Sequence, residues 1–465
     1  MFTYLFFDDQ KLFRRTGLTR QYGKPELLTE SVYSDGVSQT PLRTPFVFRT
    51  DDGKYRMIYQ GRTPDRRDFC FLAVSDDGVH FTPEIVDGDP IAPNALFALP
   101  ETEIAEVVED THNDPAERYK MLLCRVDGST LTVHGDLMTS PDLVHWTKLP
   151  GVEWNGGAEP ITGVVRNEKR GCFTILVRPD WGIRRVGYVD TADWRSYTPY
   201  ESCLQVDSMD EALAELYGMP SMAYKGYYIG FPLLYRGFGD MLSAKFHGGT
   251  IDAELAYSFD APHWQRSLRE RFVSGVDGQF ERKLGAAHPM LWPSAFLREE
   301  SGDLLIWCAA SKKEHGAGFA PAPDGILCAL RLREDGFIRL ATEAGGEGVL
   351  ALREHLWQGG EASVNLACKR ATMAVYETQG RDVLGTAHPI EGYTHEDCIP
   401  FSGDSRSWTP AYRDGRTLDA LSGRTLVFEF RLEDGCIYSV SGDCVPLMNV
   451  PGARCRTFGI LPENK

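Results

Sequence analysis

The 465-residue chain lacks the features that mark several large classes of protein. Its 11 cysteines are scattered singly with no CxxC pair, which argues against a disulfide framework or a zinc site; single thiols fit a reducing, cytoplasmic setting. Histidine is scarce too, with no HExxH and no close pair, so no metal and no organic cofactor is expected. Basic residues are outnumbered, 49 Lys+Arg against 66 Asp+Glu, a formal net charge of -17. Phosphate-rich partners need a basic stripe, so neither nucleic acid nor an anionic membrane surface is expected. No run approaches the length of a membrane span. The opening MFTYLFFDDQ has no basic leader, and its apolar run stops at Asp8 and Asp9, so it reads as neither signal peptide nor anchor.

What remains is the composition of a soluble globular protein, 42% hydrophobic and 25% charged. Aromatics at 11%, with 46 Gly and 27 Pro, favour many short strands joined by turns. The length exceeds one ordinary core, so two domains, or a repeat domain plus a second, are expected.

A pattern recurs. Residues 51–82, DDGKYRMIYQGRTPDRRDFCFLAVSDDGVHFT, give a turn, a strand, a second strand, an acidic turn and then Phe81. Residues 117–149, 169–197, 225–264 and 301–340 repeat that order, with Trp146, Trp194, Trp264 and Phe337 in the aromatic place. One more apolar strand precedes each copy, starting near Pro45, Ile104, Ile161, Met219 and Pro293. Five units of four strands, each able to bury its faces only against its neighbours, predict a five-bladed β-propeller over residues 1–345. After the Gly-rich stretch EAGGEGVL the repeat does not return. Residues 346–465 alternate as half-buried strands and predict a C-terminal β-sandwich, making the chain all-β. Only MDEALAEL, residues 209–216, reads as helical.

In a propeller the first strand of each blade lines the channel, so the polar residues leading into those strands are the candidates for chemistry. Three acids stand at such places: Asp35 in the first unit, Glu159 in the third and Glu215 in the fourth. Like charges held together resist simultaneous ionisation, which yields one ionised and one protonated carboxyl near neutral pH. That is the pair a glycosidic bond requires. Trp154, Tyr217 and Trp292 suit the apolar face of a sugar ring, and Gln39, Arg43, Asn155, Lys283 and His288 suit its hydroxyls. Each has a plainer explanation as well: Asp35 before Gly36 is ordinary turn chemistry, and Glu103, Glu106 and Glu109 read as a solvated acidic run.

Five blades followed by a sandwich, with acids heading the inner strands of blades 1, 3 and 4, resemble the propeller glycoside hydrolases of families 32, 43 and 68. Segments such as DDGKYRMIYQG, AELAYSFDAPHW, LREDGFIRL and LSGRTLVFEFRLEDGCIYS resemble the less characterised bacterial 32/43-like group. The resemblance implies an Asp35 nucleophile or base, a Glu159 that orients substrate and tunes the site, and a Glu215 that donates the proton. Three departures stand against it: no Asn-Asp-Pro-Asn-Gly surrounds Asp35, no Arg-Asp-Pro lies in the middle blades, and the blade 3 acid is Glu rather than Asp. The expectation is a hydrolase of a small furanoside-type oligosaccharide, a β-fructoside or arabinofuranoside. The alternatives are an inverting glycoside phosphorylase and a non-catalytic carbohydrate-binding propeller. For the sandwich, three roles stay open: binding carbohydrate, bracing the propeller, or forming a homo-oligomer contact.

Overall fold

The computed structural model describes residues 1–36, 40–41, 45–86, 92–126, 133–154, 163–178, 184–237, 248–315, 325–378 and 388–447. The chain forms two compact units, one of Lys24–Arg333 and one of Met1–Gly23 with Glu334–Lys465. The sequence division at 345 therefore lies 12 residues later than the structural one after Arg333. The first 23 residues join the C-terminal unit, because Phe2–Leu5 pairs with Ser439–Gly442 and Thr19–Tyr22 with Ile338–Ala341.

The Lys24–Arg333 unit is a propeller-like succession of antiparallel sheets. The first sheet centres on Tyr55–Arg62 and Asp68–Ser75, with Thr40–Pro41 and Phe46–Arg49 along one side. The second runs Thr102–Glu109, Tyr119–Val126, Val133–Ser140, Thr147–Glu153, and the third runs Gly163–Asn167, Cys172–Val177, Val186–Thr191, Glu201–Leu204. In the fourth sequence unit each of the first three strands is broken, into Ala214–Gly218 and Ser221–Tyr224, Tyr227–Gly230 and Leu233–Gly237, and Gly249–Ala253 and Ala256–Ser258. Two of these breaks fall at Pro220 and Pro232, which have no N–H to give a ladder. The Ala214–Gly218, Leu233–Gly237 and Gly249–Ala253 halves continue, through the single parallel pair Ile251–Met290, into Met290–Arg298, Leu304–Ser311, Gly325–Leu332 and finally Glu26–Leu27. The last sheet is thus closed by a strand from the start of the unit.

The core lies between the sheets. Ile58 and Leu72 pack with Ile104 and Met121; Leu122 and Leu137 pack with Phe173 and Ile175; Leu176 and Val186 pack with Leu216 and Leu234. Met57, Tyr59 and Phe71 of the first sheet pack with Ala295, Leu305 and Trp307 of the last. All of these side chains are buried, which is what sheets with two apolar faces need in order to fold.

The repeated turn has a physical basis. Ser75 Oγ accepts the N–H groups of Asp77 and Gly78 at 3.2 and 3.0 Å, Asp77 Oδ1 accepts those of Val79 and His80 at 2.8 Å each, and Asp77 Oδ2 meets His80 Nδ1 at 2.7 Å. Ser140, Asp142 and His145 repeat the arrangement, and Ser258, Asp260 and His263 repeat most of it. The residue after the aspartate has positive φ in every copy: 75° at Gly78, 70° at Leu143, 59° at Trp194 and 69° at Ala261. This corrects the sequence register. Trp194 occupies the left-handed position, and the aromatic equivalent to Phe81, Trp146 and Trp264 is Tyr197. Phe337 is not a fifth copy at all: it lies in the other unit, just before Ile338–Ala341.

Two secondary-structure expectations also change. Residues 209–216 form a turn leading into the strand Ala214–Gly218, because Glu215 pairs with Tyr235; tertiary pairing overrides a helix-favouring composition. The α-helix among the described residues is Gln279–Leu284, flanked by Gly278 and Gly285.

In the Met1–Gly23 and Glu334–Lys465 unit, nine strands form one connected sheet built on two long strands, His355–Glu377 and Thr425–Pro446. The ten described cysteines of the chain are all free thiols.

Candidate active site

Asp35 lies between the one-turn helix Thr29–Ser31 and the strand Thr40–Pro41 and is half-buried. The Tyr59 hydroxyl donates to its Oδ2 at 2.7 Å. Behind that contact, the Tyr59 hydroxyl accepts from Asn94 Nδ2 at 3.1 Å and shares a hydrogen bond with the Tyr33 hydroxyl, also at 3.1 Å. Tyr59 is 1% exposed and its ring stacks on Phe71 at 5.3 Å. Burial, with the charge of Asp35 and the nearby Tyr33, raises the Tyr59 pKa well above the usual phenol value. The proton therefore stays on the tyrosine and remains available to the carboxylate. Trp292 packs against the same cluster of Tyr33 and Tyr59.

Glu215 lies in the strand Ala214–Gly218, and its carboxylate meets the Arg184 guanidinium. Two residues on, the register shifts between Leu216 and Gly218, so Tyr217 has no opposing residue. Such a bulge re-aims a side chain. The Tyr217 hydroxyl bonds His315 Nε2 at 3.1 Å, and its carbonyl accepts from Arg178 Nη2 at 3.0 Å. The Arg178 and Arg184 guanidinium groups lie 4.9 and 5.4 Å from the Tyr217 ring centre, and Arg184 lies 5.5 Å from that of Tyr235. The His315 ring is 5.2 Å from Tyr217 and 4.9 Å from Tyr235.

The segment leading into this strand is pinned by ion pairs. Asp207 is held by both Nη atoms of Arg269 at 2.7 and 2.6 Å, and Asp210 likewise by Arg266 at 2.7 and 2.6 Å. Arg266 also reaches Glu254, and Arg236 joins Glu211, Asp252 and Glu254. Burial pushes the carboxyls of Asp252 and Glu254 up, against the downward pull of these arginines.

The structure thus brings Glu215 and Tyr217 into one cluster, and Asp35 and Trp292 onto another. Glu159, Asn155, Gln39 and Arg43 lie outside the described residues. Three expected substrate contacts are corrected. Trp154 is 0% exposed, its indole N–H bonding the Leu123 carbonyl at 3.0 Å, so it is core and offers no face to a sugar. Lys283 donates to Glu26 and to the Leu27 carbonyl, beside the last strand of its sheet and three strands from Met290–Arg298. His288 is 1% exposed and bonds the Ala286 carbonyl through Nδ1; burial lowers its pKa and keeps it neutral. The acidic run at 103–109 is not solvated throughout either, since Glu106 is buried and Glu109 pairs with Arg118.

Residues the sequence did not single out are Tyr59, Arg178, Arg184, Tyr235 and His315. A signal existed for Arg178: it directly follows Cys172–Val177, a strand buried at every position.

No family model and no curated protein matches the chain. Among solved structures it is similar to a thermostable family-43 glycoside hydrolase (11% identity over 69% of this chain and 96% of that one, TM-score 0.45). It is also similar to a GH32 β-fructofuranosidase of Bombyx mori (9%, 95% of each chain, 0.43) and a β-1,2-mannobiose phosphorylase of Listeria innocua (11%, 72% and 97%, 0.41).

Proposed function

We propose that the Lys24–Arg333 unit is a five-bladed propeller and that it cleaves the glycosidic bond of a small furanoside-type oligosaccharide by hydrolysis. The count of five rests on the succession of packed sheet pairs, ending with the last sheet against the first. The other unit we read as the expected sandwich, folded from its one connected sheet.

The observation that carries the functional reading is the seat of Asp35. Asp35 receives a buried phenol that is itself fixed by Asn94 and Tyr33. Such second-layer support orients a group for chemistry. In this proposal Asp35 is the nucleophile or base, Glu215 protonates the leaving oxygen, and Glu159 stabilises the sugar. Tyr217 and Tyr235 are buried and pack against the Arg184 guanidinium that faces Glu215. Carboxyls about 5–5.5 Å apart would give retention and about 6.5–9.5 Å inversion.

One contact favours a second reading, a propeller that binds sugar without cleaving it: Glu215 faces a guanidinium rather than a second carboxylate. The deciding experiment is release of aryl furanosides, pyranosides and small fructans by wild type, Asp35→Asn and Glu215→Gln. Turnover that falls by orders of magnitude in both variants supports hydrolysis. Saturable sugar binding with no turnover of any substrate supports the second reading.

A further inference from the structure

The Met1–Gly23 and Glu334–Lys465 unit holds a cavity of about 270 Å³ lined by Glu377, His388, Pro389, Ile390, Glu391 and Arg424. Glu377 ends the long strand His355–Glu377 and stands directly opposite His388 of the short strand His388–Pro389, so the two side chains share a face. Arg424 immediately precedes Thr425–Pro446 and grips the Glu377 carboxylate with two N–H bonds, Nε to Oε1 at 2.9 Å and Nη2 to Oε2. The hydrogen bond and charge of Arg424 hold the Glu377 carboxyl below the usual carboxylate range, so it remains an acceptor. The two side chains are 35% and 33% exposed, and a pair so open to water adds little to stability. It does leave hydrogen-bonding capacity in place: Arg424 gives Glu377 two of its five N–H groups, and each Glu377 oxygen keeps a second lone pair.

We propose that this cavity is a carbohydrate site of its own, distinct from the Asp35 and Glu215 candidates, and that it takes one neutral sugar unit. Adjacent sugar hydroxyls each donate and accept. A guanidinium N–H beside a carboxylate oxygen, fixed in one plane by the paired bonds, offers such a diol one donor and one acceptor side by side. Pro389 and Ile390 give the same cavity an apolar wall for the C–H face of the ring. The volume lies just below the range of drug-sized ligand sites and so suits a single sugar unit rather than a chain. Charge selects against an acidic sugar, because Arg424 is already neutralised by Glu377 while Glu391 adds a negative group to the lining. The inference goes beyond the proposed cleavage: it gives this unit a carbohydrate-retaining role whether or not the other unit hydrolyses glycosides.

The test is isothermal titration calorimetry of the full chain with L-arabinose, D-fructose, D-galactose and D-galacturonate, using wild type, Arg424→Met, Glu377→Gln and Asp35→Asn. Saturable binding is expected for at least one of the three neutral sugars. That binding should weaken roughly tenfold or more in Arg424→Met and in Glu377→Gln, and persist in Asp35→Asn. Two variants of one part-exposed pair guard against a failure of either to fold. No saturable binding of any neutral sugar overturns the proposal, as does binding that both variants leave unchanged or that only Asp35→Asn removes. Galacturonate binding tighter than galactose and lost in Arg424→Met would overturn the neutral class. The readout needs no turnover: sugar binding here without glycoside cleavage would defeat the hydrolase reading and leave this one standing, and cleavage without Arg424-dependent binding would do the reverse.

Discussion

Replacing Tyr59 with Phe tests the seat of Asp35 with one atom. The ring remains, stacked on Phe71 and packed against Met57 and Trp307, so no cavity opens beyond the lost oxygen. What disappears is a hydroxyl with three partners: Asp35 at 2.7 Å, and Asn94 and Tyr33 at 3.1 Å each. A hydrogen bond to a charged group contributes about 1.5–3 kcal/mol, and a stranded buried donor or acceptor costs about 1–3 kcal/mol. Two facts reduce the sum. Asp35 is half-buried, so water can replace its lost donor, and Asn94 Nδ2 keeps the Leu72 carbonyl at 3.1 Å. The net expectation is about 2 kcal/mol of stability, read as a lower urea midpoint at unchanged slope. For activity, a carboxylate released from its donor samples more rotamers, and misplacement by about 1 Å can cost about a hundredfold. We expect kcat/KM to fall roughly ten- to hundredfold, chiefly through kcat. Tyr33→Phe, which touches Tyr59 and not Asp35, should cost less on both measures. Wild-type kinetics and midpoint in Tyr59→Phe would refute the argument, as would equal damage from the two substitutions, which would mean that packing and not the Asp35 contact is at stake.

Two further outcomes follow from the fold. In the repeated turn, burial pushes the Asp142 carboxyl up, but the His145 backbone N–H and imidazole and the Val144 N–H outweigh it and hold the pKa at about 2. Its stabilisation is complete above the unfolded value near 3.8 and is lost as pH falls from there through about 2; with the side chain 45% exposed, screening leaves about 1 kcal/mol. Asp142→Ala should therefore lower the urea midpoint at pH 7 and flatten its decline in acid, and an unchanged acid profile would contradict this. Gly135→Ala would place a Cβ 1.8 Å from the Trp154 carbonyl oxygen, beside an indole with no room to retreat. Overpacking there should cost about 3 kcal/mol or more, and a thermal midpoint equal to wild type would disprove it.

The strand repeat was legible because it is local: alternating apolar runs between acidic turns give strands whatever they pack against. What the sequence hid is non-local. The partner of Gly325–Leu332 is the two-residue strand Glu26–Leu27, too short to show a period and about 300 residues away. The register error at Trp194 arose because a tryptophan was taken for the outer aromatic, whereas the Ser/Thr-x-Asp spacing, which fixes hydrogen bonds, points to Tyr197. For the candidate site, Asp35, Glu215, Tyr217 and Trp292 could be singled out as candidates because the start of an inner strand can be read locally. Arg178, Arg184 and His315 were missed because three different strand ends bring them together. Trp154 misled for a related reason: it stands in the lead-in to an inner strand, while the residue that makes room for its buried side chain is Gly135 on another strand.

The Arg184 contact is the strongest structural objection to Glu215 as a proton donor, and magnitude decides how strong. The two side chains are 15% and 37% exposed, so the pair sits at the boundary with solvent. Ion pairs there contribute about 1 kcal/mol or less. A bound ligand that offers Arg184 another anion, or that covers Glu215 from water, exchanges this contact for others at little net cost. The network behind the strand is different in kind: Arg266 and Asp210 are 1% and 4% exposed, and with Glu254 they leave no charge able to turn to water. Breaking such a buried pair costs about 3–5 kcal/mol. The backbone that carries Glu215 is therefore held firmly while its carboxylate is held lightly. A site that only bound sugar would gain from the reverse, a locked carboxylate whose hydrogen bonds are set before the ligand arrives. A fixed backbone with an exchangeable side-chain partner suits a group that must change protonation state during turnover.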